Sequence, residues 1–330
     1  MSFEKKASIL GLGAVLASGT TVAVLAQGAP TINGAGATFP APFYQSAFAG
    51  LARSGIKVNY QSVGSGAGVR QFVAGTVDFG ATDEPIKASD AAKVKRGAIQ
   101  FPSVGGTIAV GFNKPDCADL KLTQKQLTEI FLGKITNWGQ LKCGSGPITV
   151  VHRSDGSGTT YAFTSSLSAF SPEWKSKVGE GKSVNWPVGI GGKGNEGVAA
   201  SISNTPGSIG YINQAFVRGP IKAAAVQNRA GKFVKPNLKG GRAALLNVRL
   251  DSNLAGEDPN PQGADSYPIS TLTWILAYEK GNGEKAGTIR RALLFLLSPA
   301  AQNKADDLGY VPLPADLVKK SREAVARIGS

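Results

Sequence analysis

Three short stretches of this chain combine glycine with hydroxyl side chains where a helix could begin. Gly34-Ala35-Gly36-Ala37-Thr38-Phe39-Pro40 leads into one apolar helical stripe and Gly64-Ser65-Gly66-Ala67-Gly68 into a second. Arg153-Ser154-Asp155-Gly156-Ser157-Gly158-Thr159-Thr160 leads into a third. A helix N-terminus leaves backbone N–H groups unpaired and carries partial positive charge, so it can hold a tetrahedral anion. Glycine lets the backbone come close to such a ligand. Ser157 and Thr159 add hydroxyls, Arg153 adds a fixed positive charge, and Asp155 stands two residues from it. Each turn alone is also an ordinary helix cap. Three in one chain, one of them with an arginine, point to an oxyanion site. A fourth run, Gly189-Ile190-Gly191-Gly192-Lys193-Gly194, fits G-x-G-x-x-G literally. It lacks the strand–helix setting and the acidic residue that a dinucleotide fold places after it, so it reads as a loop entering a helix at Val198–Ile202.

The elements that must position these turns alternate along the chain. Apolar residues at helical spacing mark helices at Phe43, Ala47 and Leu51, at Phe163, Leu167 and Phe170, and at Ile289, Leu293, Leu296 and Leu297. Val318, Val325 and Ile328 mark a terminal one, and Thr123 to Gln126 form a capping box ahead of Leu127, Ile130 and Phe131. Short apolar runs predict strands at 56–60, 77–80, 98–101, 107–112, 148–151, 209–212, 221–226 and 271–278. The alternation argues an α/β fold with largely parallel sheets. The stretch from Gly231 to Pro268 reads as loop, and its Glu257, Asp258 and Asp265 match no EF-hand spacing.

Composition removes several chemistries. The 330 residues hold one histidine, His152, and two cysteines. No HExxH, CxxC or GxxxxGK[ST] occurs, so no zinc, haem, iron–sulfur or P-loop site is expected and no cofactor is implied. The formal net charge is +14, but the positive residues are scattered, and nucleic acid is not an expected partner. Lys5 and Lys6 precede an apolar stretch from Ala7 to Ala26, which reads as a secretory signal peptide over residues 1–26 rather than an uncleaved anchor. In an exported compartment Cys117 and Cys143 are expected as a disulfide, the alternative being two buried thiols.

The sequence further resembles the periplasmic phosphate-binding proteins of bacterial phosphate ABC transporters, the PstS family. The resemblance lies in GAGATFPAPFY (34–44), VNYQSVGSGAGVRQF (58–72), TVDFGATDEP (76–85), KITNW (134–138), VVHRSDGSGTTYAFTSSL (150–167), NWPVGIGGKGNEGVAA (185–200), GSIGYINQAF (207–216) and YPIS (267–270). It implies a type II two-lobed periplasmic binding protein fold with the ligand in a cleft between the lobes. One lobe would comprise residues 28–108 and 275–330, the other residues 109–274. It implies phosphate contacts from Thr38, the Phe39 N–H, Ser65, Asp83, Arg153, Ser157, Gly158 and Thr159, with Asp155 orienting the guanidinium. The cysteine pair and the basic charge are not general features of that family. At Thr82 the family more often has serine nearby.

Asp83 is the paradox of this set, since a carboxylate should repel an anion. It becomes useful if the ligand brings a proton to donate. Sulfate at neutral pH has none, and two facing acceptors would leave buried lone pairs unpaired. The expected function is high-affinity capture of inorganic phosphate in the periplasm by a monomer, and delivery to an inner-membrane ABC permease. Two other classes compete with it: an exported phosphate-ester hydrolase and a basic secreted adhesion or matrix protein. A hydrolase would need a base beside Ser157. His152 adjoins Arg153, but neighbours on a strand point to opposite faces.

Overall fold

Glycine and alanine dominate the first strand because its neighbours press directly on its backbone. The computed structural model describes Met1, residues 30–246 and residues 248–330. Apart from Met1, the expected signal peptide lies outside the described residues. The first strand, β1 (Ile32–Gly36), lies between β2 (Val58–Ser62) and β3 (Phe79–Thr82), parallel to both. A Cβ on Gly34 would lie 2.1 Å from the Phe79 ring. Helix α1 (Ala41–Ala52) follows β1 and buries Phe43, Tyr44, Ala47, Phe48 and Leu51. Helix α2 (Ser65–Ala74) follows β2 and packs so closely that a Cβ on Gly68 would sit 2.4 Å from the Gly36 Cα. The small residues therefore bring the first two turns side by side.

One long strand, β4 (Ala98–Asn113), ties the halves of the sheet together. Beyond it come β5 (Thr149–Arg153), β6 (Ile190–Gly192), β7 (Ser208–Asn213) and β8 (Ser270–Tyr278). The strand order is β2-β1-β3-β8-β4-β7-β5-β6, with the two short strands Tyr310–Val311 and Lys222–Ala223 also on β4. Residues Ala98 to Thr107 of β4 pair with β8, and Ile108 to Asn113 pair with β7. The partner therefore changes between Thr107 and Ile108. Helices α3 (Gly158–Phe170) and α4 (Gly194–Asn204) follow β5 and β6.

The fold is α/β, but three of its expected details differ. The outer pairings are parallel, whereas β3–β8, β8–β4 and β4–β7 are antiparallel. The strands expected at 98–101 and 107–112 are one strand. Pro102 and the Gly105-Gly106 pair read as breaks, yet each has a packing reason. A β-bulge at Thr273/Trp274 in β8 lies opposite the region of Pro102, which has no N–H to donate. A Cβ on Gly105 would lie 2.3 Å from Leu245 Cδ1, and one on Gly106 2.8 Å from the Phe39 ring. The stretch from Gly231 to Pro268 holds a further helix, α5 (Leu238–Leu245), capped by Asn237. Its Gly241 is there because a Cβ would lie 2.6 Å from Val311. The acidic residues of that stretch have structural partners: Glu257 accepts from Tyr161, Asp258 from the Asn260 N–H, and Asp265 pairs with Lys239.

Cys117 and Cys143 are joined, their Cα atoms 5.1 Å apart. They close a loop with a sequence separation of 26. Constraint of the unfolded chain by a loop of this size is worth about 3–4 kcal/mol. Replacing both cysteines by alanine should lower unfolding stability by about that amount in urea titrations. An unchanged midpoint under oxidising conditions would show that the bond contributes nothing.

Candidate anion-binding site

All of the candidate side chains come from the ends of elements. Thr38 and Phe39 occupy the turn between β1 and α1, and Ser65 is the first residue of α2. Asp83 follows β3 directly, and Arg153 ends β5. Ser157 caps α3, whose first two residues are Gly158 and Thr159. Thr38, Phe39, Ser65, Asp83, Arg153, Ser157 and Thr159 are all buried. The three turns converge across the sheet. The Gly66 N–H donates to the Gly156 carbonyl at 2.8 Å. A Cβ on Gly158 would lie 2.6 Å from the Asp83 Cβ and from Ser65 Oγ, so only glycine fits there. The Thr159 hydroxyl donates to Asp83 Oδ2 at 3.3 Å. Lys182 pairs with Glu84, the neighbour of Asp83.

The hydroxyls are held in a common sense. Ser65 Oγ accepts from the Asp83 N–H at 3.3 Å, and Ser157 Oγ from the Thr160 N–H at 3.0 Å. A hydroxyl that accepts from the backbone keeps its hydrogen for another partner. The Phe39 carbonyl accepts from Tyr310, while its N–H has no acceptor among the described residues. The first N–H groups of α3 have no partner within their own helix. Several donors around these turns thus have no acceptor among the described residues.

Two carboxylates frame the one arginine differently. Asp155 receives Arg153 Nε at 2.7 Å and Nη2 at 2.6 Å, a bidentate pair, and also the Gly194 N–H at 3.0 Å. Burial alone would raise the Asp155 pKa, but the bonds and charge of Arg153 outweigh it and hold the carboxyl below its ordinary value. The remaining guanidinium nitrogen, Nη1, is buried without a hydrogen-bond partner among the described residues. Asp83 behaves oppositely. Burial pushes it up to about 7, although bonds from Thr273 and Thr159 and the charge of Arg153 pull the other way. The site can therefore offer a tetrahedral oxyanion many N–H and O–H donors, half a guanidinium, and one carboxyl able to exchange a proton near neutrality.

Neither hydroxyl of the first two turns is an N-cap. Gly64, with φ of 87°, takes the N-cap of α2 ahead of Ser65, because this conformation suits glycine. Thr38 lies two residues before the N-cap of α1, which is Pro40. Both hydroxyls are thereby released from capping. His152 stacks on Trp186 at 4.9 Å, with Nδ1 3.0 Å from the Arg153 carbonyl oxygen.

Sequence reasoning missed three residues. Asn195, at the start of α4, bonds Thr38 and Thr159. Thr273 donates to Asp83 Oδ1 at 2.8 Å from the bulge in β8. The Tyr211 hydroxyl accepts from the Arg153 N–H and bonds Thr160. The signal for Asn195 was the glycine run at 189–194, which contains β6 and reaches the first residue of α4. For Thr273 and Tyr211 no local motif exists.

The family described as the PBP superfamily domain matches residues 21–300. A phosphate-binding protein PstS of Pasteurella multocida is 42% identical over 320 residues, covering 91% of both chains. One from Haemophilus influenzae is 41% identical over 309 residues, covering 88% of this chain and 91% of its own. Among solved structures, a phosphate-binding protein from Stenotrophomonas maltophilia matches with a TM-score of 0.73 at 20% identity, covering 89% of this chain and 93% of that one. A periplasmic phosphate-binding protein solved with bound phosphate matches at 0.75 and 23% identity, with coverage of 89% and 93%. These structural likenesses establish the two-lobed binding-protein fold.

The raised Asp83 has a consequence for the anion-free protein. Its carboxyl titrates near 3.8 when unfolded and is pushed up to about 7 by burial in the native fold, so between those values the native state holds a proton that the unfolded chain has lost. The stability from this group is full below the lower value and is lost as pH rises through the upper one. Urea unfolding from pH 4 to 8 should therefore show wild type losing stability relative to Asp83→Asn. Parallel profiles would reject the raised carboxyl.

Proposed function

This chain belongs to the PBP superfamily and, within it, to the phosphate-binding PstS proteins, and we propose that it captures inorganic phosphate in the periplasm and delivers it to an inner-membrane ABC permease. The observation that carries this reading is the pairing of a buried, protonatable Asp83 with an Arg153 whose Nη1 has no partner among the described residues. Phosphate near neutrality is a mixture of singly and doubly charged ions and always keeps a proton to donate. The Thr38, Ser65 and Ser157 hydroxyls and the Phe39, Gly158 and Thr159 N–H groups would bind its bare oxygens, the Thr159 hydroxyl being given to Asp83. Arg153 would supply the countercharge, and Asp83 would accept the ligand's hydrogen. The change of partner along β4 at Thr107–Ile108 supports placing one lobe crossing there, and β8 (Ser270–Tyr278), which runs beside β4 up to that point, would carry the return near residue 275. Hinge bending at those points would open and close the crevice around the ligand. The closed face would then be read by the permease, by a single copy of this chain.

A phosphate-ester hydrolase is disfavoured by the surroundings of its would-be nucleophile. Ser157 Oγ serves as a helix cap, and His152 is stacked on Trp186 rather than bonded to that hydroxyl. No helix among the described residues is long and apolar enough to cross a membrane.

Arg153→Ala should weaken phosphate binding by about two orders of magnitude or more in calorimetry, because it removes the countercharge to the anion and leaves the Asp155 carboxylate without its cation beside it. Wild-type affinity in that variant would remove Arg153 from the site. Above about pH 8, Asp83→Asn should keep phosphate binding but admit sulfate, since the amide can donate where the ionised carboxylate only accepts. Competition titrations with both anions decide it, and unchanged selectivity would contradict the role given to Asp83.

A further inference from the structure

We propose that Asn195 is a positioning residue that fixes the Thr38 hydroxyl as a donor to the ligand, and does so only when the lobes are closed. The inference deepens the phosphate reading above and rests on it.

Asn195 is fully buried at the start of α4. Its Oδ1 accepts from the Asn213 N–H at 2.8 Å. A backbone N–H can only donate, so this bond identifies the oxygen and leaves the other amide atom as the nitrogen. That nitrogen donates to Thr38 Oγ1 at 2.8 Å and to Thr159 Oγ1 at 3.2 Å. The Asn195 backbone N–H donates to the same Thr38 oxygen at 3.0 Å. Thr38 Oγ1 thus receives two bonds from groups that cannot accept in return. A hydroxyl oxygen has two lone pairs, and both are taken. Its hydrogen can only be given away, and no acceptor for it is found among the described residues. The bare oxygen of an anion in the crevice meets that requirement.

The same amide acts on the opposite wall. Thr159 Oγ1 accepts from Asn195 and donates to Asp83 Oδ2. One side chain therefore turns a hydroxyl on each side of the crevice, and the two serve opposite ends of the ligand. Thr38 suits an oxygen without hydrogen, whereas Asp83 suits one with hydrogen. Thr38 follows β1 and Asn195 begins the helix after β6, so the bonds between them cross from one half of the sheet to the other. Opening the crevice would break them and free the Thr38 rotor. The donor is then set at closure, and its loss should appear mainly as faster release.

The test is a double-mutant cycle on the full chain, with phosphate affinity from calorimetry and release rates from stopped flow. Asn195→Ala should weaken binding by about 10- to 100-fold, the scale of a hydrogen bond to a charged group, chiefly through release. In a Thr38→Val background the same change should cost several-fold less, because only the Thr159 hydroxyl is left for it to orient. In a Thr38→Ser background the full loss should return. If Asn195→Ala does not fold, Asn195→Ser, which retains an acceptor for the Asn213 N–H, takes its place in the cycle. Binding by the Asn195 variant within about twofold of wild type, or a loss undiminished beside Thr38→Val, overturns the inference. Wild-type protein that does not bind phosphate overturns the functional reading and this inference together.

Discussion

A small, highly charged anion taken out of water must recover its hydration from fixed partners, and one guanidinium cannot supply it. Here the arginine is already half committed, since Asp155 takes two of its nitrogens. The balance has to come from dipoles: N–H groups at the helix starts and hydroxyls whose lone pairs are occupied by the backbone. Dipoles act only at short range, so the walls must come within hydrogen-bond distance on every side. That requirement accounts for the bare glycine contacts between the two halves at Gly66, Gly156 and Gly158. It also accounts for burying a carboxyl where its charge is penalised. The penalty keeps Asp83 poised to exchange a proton at the pH where phosphate does.

The scaffold serves this closeness in two ways. Within each half, strand–turn–helix units deliver their N-termini to the same edge of the sheet, and small residues let helix and strand touch. Between the halves, β4 runs unbroken while its partner changes from β8 to β7. A strand shared in this manner can bend without losing register on either side. The β8 bulge beside Pro102 has a second effect, since it belongs to the segment that aims Thr273 at Asp83. Asn195 and Tyr211 play comparable parts from the other half, one holding hydroxyls and the other the backbone of Arg153.

Much of this was legible in the residues. Gly/Ser/Thr turns ahead of apolar stripes mark helix starts because capping chemistry is local, and a fixed positive charge beside one of them marks an anion. The errors came where local signals meant something tertiary. Pro102 and Gly105-Gly106 look like strand ends, yet they are accommodations to a bulge and to the pressing side chains of Leu245 and Phe39. Gly240 and Gly241 look like loop, yet they let a helix approach Tyr267 and Val311. Ser65 looks like a cap, yet its oxygen is held by the Asp83 N–H.

By itself the sequence determined the α/β alternation, the three turns and the identity of the charged groups, since these depend on spacing and side-chain chemistry within a few residues. It did not determine which hydroxyl donates and which accepts, how far Asp83 is pushed up, or that Asn195 and Thr273 meet residues on distant segments. Those properties were decided only by the tertiary structure. Hydrogen-bond direction and desolvation depend on what lies within a few ångströms, and here the nearest groups come from parts of the chain more than a hundred residues apart.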